Sequence, residues 1–154
     1  MSKFEIYRSN DKGEQCWRWR LVDSNYKNIA RSEEPFIKSS VKRSIKTIKD
    51  KVALNAPVFF DESIEDVDKG YRFEYFQSEK DSEWYWKLKA SNHELMAIGG
   101  EGFSSKQSIL KSIENAKVEI GRAEIIFENP KDDPAYEAKN QDDTKENPSI
   151  PPGS

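Results

Sequence analysis

A chain of 154 residues with a formal net charge of −3, 34% charged and 35% hydrophobic residues, can fill one modest core, and no apolar run approaches the roughly 20 residues that a membrane span needs. Cys16 and His93 are the only residues of their types, which excludes an internal disulfide and a zinc site built from Cys and His. The charge is uneven: residues 128–154 hold seven acids and three lysines, and residues 1–127 are close to neutral.

From the N-terminus, Phe4 and Ile6 alternate with Glu5 and Tyr7, the period of a half-buried strand. After a polar turn at 9–15, Trp17, Trp19 and Leu21 share one face of a second strand, opposite Arg18 and Arg20. A Ser24-Asn25 turn leads to a third strand near 28–31, completing a meander. Then Val41, Ile45, Ile48 and Val52 fall at i, i+4, i+7 and i+11, which predicts an amphipathic helix capped by Ser39 or Ser40. Val58-Phe59-Phe60 reads as a short last strand. The helix is basic through Lys42, Arg43, Lys46, Lys49 and Lys51, and the acidic bridge at 61–69 is expected either to fold back over it or to be solvated.

The same order then returns. Tyr71, Phe73 and Tyr75 alternate with Arg72, Glu74 and Phe76, and Trp84, Trp86 and Leu88 lie opposite Tyr85, Lys87 and Lys89. A Ser91-Asn92 turn, a strand at 94–98 and a helix striped with Ile109, Leu110, Ile113, Ala116 and Ile120 follow, with capping-box spacing from Ser104 to Gln107. Gly99-Gly100-Glu101-Gly102 reads as a flexible approach to that helix, and Ile125-Ile126-Phe127 as a last strand. The first Trp of each pair precedes an Ala by thirteen residues and a Phe by nineteen in both stretches, the register of a tandem duplication. The expected organisation is one domain at 1–127, made of a repeat at about 1–60, the bridge at 61–69 and a repeat at about 70–127. A disordered, acidic, proline-rich tail is expected at 128–154, where apolar residues are too few to offset the entropy of ordering.

The pattern Phe-Glu-x-aromatic, polar turn, Trp-x-Trp-basic-Leu, Ser-Asn turn and Ala, with Gly102-Phe103-Ser104-Ser105-Lys106 before a helix, resembles the YegP-like family, also called UPF0339 or DUF1508. The likeness runs over both repeats and departs at Pro35-Phe36-Ile37-Lys38-Ser39 in the first. It implies an α+β fold of two tandem β-β-β-α-β units that share one mainly antiparallel sheet, with helices on one face and exchanged C-terminal strands. It implies no activity, catalytic residue or cofactor.

Alternation places the tryptophans in the core and separates them from the arginines, so no surface joins base stacking to phosphate pairing, and the acidic tail also argues against nucleic acid as a partner. The face opposite the tryptophans carries Tyr7, Arg18 and Arg20 from the first repeat and Tyr85 and Lys87 from the second, and these are the candidate binding residues. On that face Glu5 and Glu74 are expected to pair with Arg and Lys across strands as a solvated ladder. Cys16 and His93 lie in non-equivalent turns with no third group to orient the imidazole, which argues against a nucleophile and base pair. The expectation is a non-catalytic interaction module without metal or cofactor, cytoplasmic, a monomer with internal pseudo-symmetry and at most a weak dimer. It would use the open sheet face or the basic helix toward a protein or a small anionic ligand. The competing expectation is an enzyme or metabolite-binding protein with its site at the seam between repeats.

Overall fold

A computed structural model describes residues 1–52, 55–61 and 70–136. Its elements are β1 (Lys3–Asp11), β2 (Glu14–Val22), β3 (Asn28–Arg31), α1 (Lys38–Thr47), β4 (Val58–Phe60), β5 (Arg72–Gln77), β6 (Trp84–Lys89), β7 (Leu95–Gly99), α2 (Lys106–Arg122) and β8 (Glu124–Phe127). The fold is α+β, with one mixed eight-stranded sheet in the order β4-β5-β6-β7-β3-β2-β1-β8. Two neighbours are parallel: β4 lies beside β5 and β8 beside β1. The other pairs are antiparallel. No helix among the described residues is long and apolar enough to cross a membrane.

Local chemistry sets the turns. Asp11 pairs with Glu14 across a two-residue loop in which Lys12 and Gly13 both have positive φ, the turn whose twist suits a hairpin. β1 and β2 therefore run through most of the stretch expected to be a turn. Tyr26 and His93 hold the corresponding positive-φ position in the β2–β3 and β6–β7 turns. Each of these turns follows a register shift, at Leu21/Val22 and at Leu88/Lys89.

Both helices pack on the sheet face that carries the tryptophans, α1 over β1 and β2, α2 over β5 and β6. One core cluster unites Phe4, Ile6, Trp19 and Leu21 with Phe73, Trp86 and Leu88 beneath Val41, Ile45, Ile109 and Ile113. Aromatic contacts join the halves: Trp17 meets Phe127 of β8, and Trp84 meets Phe60 of β4.

Several sequence expectations change in detail. Ser39 and Ser40 lie inside α1, whose N-cap is Ile37 with no side-chain cap. The α2 cap is Ser105, which accepts from the Ser108 backbone N–H, one residue beyond the expected Ser104. Residues 128–136 do not fit a disordered tail: Asp132 is buried and bonded to Arg8, Glu128 pairs with Arg20, and Asn129 caps a short turn at Pro130–Asp132. Charge pairing supplies what apolar residues there could not. Residues 137–154, and the acidic bridge beyond Asp61, lie outside the described residues.

Candidate functional site

One row of residues crosses the sheet on the face away from the helices. Pairing registers align Phe59, Glu74, Lys87, Ile98, Arg31, Arg20, Glu5 and Ile126. Glu5 sits opposite Arg20, as the ladder requires, and Glu74 opposite Lys87. Neither glutamate is solvated, however, since Glu5 is 3% and Glu74 1% exposed. Each lies under a lid of its own partners. Glu5 accepts from Arg20 Nε at 2.9 Å and from Tyr26 Oη at 2.8 Å, with Lys3 at 3.7 Å. Glu74 accepts from Arg72 Nε at 2.6 Å, with Lys89 and Lys87 at 3.4 and 3.8 Å. Arg72 is itself only 1% exposed, and its Nη2 lies 2.8 Å from His93 Nδ1, which must accept because a guanidinium only donates.

Burial pushes the Glu5 carboxyl up, but the hydrogen bonds from Arg20 and Tyr26 and the charges of Arg20 and Lys3 outweigh it, so the group sits below its ordinary value. Glu74 behaves alike: burial raises it, while bonds with Arg72 and Asp61 and the charges of Lys89 and Arg72 bring it below the usual range. Burial works against the Arg20 cation, and its bonds to Glu5 and Glu128 more than restore it. These are fixed, ionised pairs.

The five candidate residues are half-buried and internally engaged, where wide exposure was expected. Arg18 keeps 20% of its side-chain surface and donates to the Glu33 carbonyl. Arg20 keeps 29% and lies over the Tyr7 ring at 4.5 Å, between Glu5 and Glu128. Lys87 keeps 24%, reaches Asp61 at 3.4 Å and lies 5.0 Å over Phe76. Tyr85 stacks on Phe76 and donates to Asp81 at 2.6 Å. Sequence reasoning missed Arg31. It is exposed in the middle of the row, between Arg20 and Ile98, and has no ion-pair partner among the described residues. The signal was present, since buried Ala30 forces Arg31 outward.

The basic helix is less free than expected. Lys49 lies in a π-helical turn at Ile48–Val52 and donates to the carbonyls of Ile120, Gly121 and Ala123, closing the C-terminal end of α2. Burial lowers its pKa. The glycine segment serves close approach, and flexibility does not explain it: a Cβ on Gly100 would lie 2.1 Å from the Asn28 carbonyl oxygen, and one on Gly99 2.7 Å from Trp86 Nε1. Cys16 is buried on β2 opposite Ser9, while His93 belongs to the Arg72 and Glu74 cluster. No group of three or more metal-ligating side chains occurs among the described residues.

Where β3 meets β7, the β2–β3 turn faces α2 across a cleft of about 390 Å³ whose lining includes Asp23, Asn28, Ile29, Phe103 and Lys111. On the other side of the seam a second cleft of about 290 Å³ has Phe36, Leu95 and Met96 in its wall. Both draw on residues far apart in the chain.

Residues 79–126 match the model of a domain of unknown function, DUF1508. Two UPF0339 proteins of Neisseria meningitidis, NMB1088 of serogroup B and NMA1193/NMA1859 of serogroup A, are each 44% identical over 45 residues, which is 28% of this chain and 79% of theirs. The fold is similar to the solution structure of yegP from E. coli, a protein of unknown function, at TM-score 0.60 and 20% identity over 82% of this chain and 92% of that one. UPF0339 protein SO3888 from Shewanella oneidensis is similar at TM-score 0.56 and 17% identity, covering 81% and 91% of the two chains. The family model spans the stretch that holds the β6 tryptophans, the seam glycines and the α2 cap, and the Neisseria proteins are 44% identical over 79% of their length, so the chain belongs to the YegP-like UPF0339 (DUF1508) family.

Proposed function

We propose that the protein is a non-catalytic interaction module that receives an acidic peptide segment of a partner protein on the sheet face opposite its helices. The observation that carries this reading is Arg31, exposed and without an ion-pair partner among the described residues at the centre of a row otherwise set by buried pairs. Arg20 and Lys87 flank it at fixed positions because Glu5 and Glu74 hold them, so they add positive field with little further loss of side-chain freedom. Reduced Cys16 is compatible with a cytoplasmic setting.

The same proposal takes the two halves as tandem β-β-β-α-β repeats that have exchanged their last strands. Its support is the parallel pairing of β4 with β5 and of β8 with β1, and the matching register shifts in the two meanders.

The test is a titration of isotope-labelled protein with polyglutamate at low and high salt. Amide shifts are expected around Arg20, Arg31 and Ile98, fading as salt rises, and Arg31→Ala is expected to remove them without moving the melting temperature. No binding at low salt, or binding that Arg31→Ala leaves intact, removes the sheet face as the site.

A further inference from the structure

The cleft between the β2–β3 turn and α2 contains polar groups that the fold leaves unused. Glu101 is engaged with Lys27 at 3.0 Å. Asp23 accepts the backbone N–H groups of Asn25 and Lys27 through Oδ1, and among the described residues Oδ2 has no hydrogen-bond partner. Lys111 has no ion-pair partner among the described residues. Asn28 Oδ1 is buried and accepts no hydrogen bond from the described residues. An amide oxygen in that state is unfavourable, and an apolar side chain would serve the fold better.

The second cleft shows that alternative. The backbone bonds that join Asp23 to Tyr26 and Lys27 recur between Ala90 and His93 and Glu94, and the residue after the register shift is Asn28 in one strand and Leu95 in the other. The second cleft therefore has Ala90 and Leu95 where the first has Asp23 and Asn28.

We propose that the first cleft binds a free α-amino acid with an apolar side chain. The ammonium donates to Asp23 Oδ2 and to Asn28 Oδ1, the latter after its amide turns outward about χ2. The carboxylate pairs with Lys111, and the side chain rests on Ile29 and Phe103. A cleft of about 390 Å³ has room for such a ligand. The formal charges of Asp23, Glu101, Lys27 and Lys111 cancel, so a ligand of one sign meets repulsion at one end while a zwitterion meets opposite charge at both. These residues are separate from the sheet-face row, and either reading can fail without the other.

The experiment titrates the full isotope-labelled chain with L-phenylalanine, 3-phenylpropionate and phenethylamine. L-Phenylalanine is expected to bind at roughly 1 mM, as suits a ligand of about twelve heavy atoms, with amide shifts at Ile29, Phe103 and Ser112 and none at Met96. Each singly charged analogue should bind at least about tenfold more weakly. Asn28→Leu should weaken L-phenylalanine by about tenfold or more while melting at or above the parent temperature, and Lys111→Ala should weaken binding alone. The proposal is overturned if L-phenylalanine leaves those amides unmoved, if it binds no better than 3-phenylpropionate, or if its shifts centre on the second cleft. It is overturned equally if Asn28→Leu binds like the parent or melts well below it, because the amide would then be serving the fold.

Discussion

Two arginines two residues apart on β2 carry different duties. Arg20 covers a carboxylate that is almost wholly buried, whereas Arg18 reaches a loop carbonyl and stands 4.0 Å from Asp11 at the surface. Removing Arg20 leaves Glu5 under-paired, so Arg20→Ala is expected to cost about 1–3 kcal/mol and Arg18→Ala less than about 1, measured by urea denaturation. Equal losses would show that Glu5 does not depend on Arg20. The acid limb of stability follows from the same pairs. Glu5 and Glu74 have folded pKa values below their ordinary 4.5, so each contributes stability that is present above that value and is lost as pH falls through the folded value. Thermal melts of Glu5→Gln and Glu74→Gln should therefore flatten below about pH 4.5 relative to the parent. Alternation put both glutamates on the correct face. Their burial was not legible, because Tyr26, which bonds Glu5, and His93, which holds the Arg72 bonded to Glu74, are brought in by positive-φ turns that a strand pattern does not register.

At the scale of elements, the change from a period of 2 to one of about 3.6 located both helices, and Val41 and Ile45 of α1 and Ile109, Ile113, Ala116 and Ile120 of α2 are buried where the spacing places them. The ends were harder, since consecutive serines offer equal caps and only φ and ψ at the junction decide between them. Ser105, extended at φ −141°, accepts from Ser108, so Ser105→Ala should cost about 0.5–2 kcal/mol and Ser104→Ala within about 0.5, by chemical denaturation. A larger loss at Ser104 would move the cap. The other end of α2 depends on Lys49, which comes from the opposite half of the chain and carries no local signature. The seam clefts were illegible for the same reason: each wall joins residues that only the β3–β7 pairing brings together.

For the whole molecule, neither half can complete its sheet alone. β1 without β8 and β5 without β4 would each present an open edge beside a tryptophan that has lost an aromatic neighbour, Phe127 for Trp17 and Phe60 for Trp84. A fragment of residues 1–69 is expected to be unfolded or self-associated by analytical ultracentrifugation. A monomeric fragment that melts cooperatively near the parent temperature would show that the halves are independent. The same outlook extends to the start of the expected tail, where truncation after Phe127 should lower the melting temperature because it strips Asp132 from Arg8.

The parallel seat of β8 beside β1 also bears on how the protein emerges from the ribosome. Lys3 is paired with Glu124 and Ile6 with Phe127, so β1 must wait for the much later β8 before its outer edge is occupied. Contacts so distant in sequence close slowly, and a nascent chain exposes its incomplete sheet meanwhile. Chains stalled with Phe127 still in the exit tunnel should be cleaved readily by protease, and chains released past it should resist. Equal resistance would mean that the first strand finds another cover during synthesis.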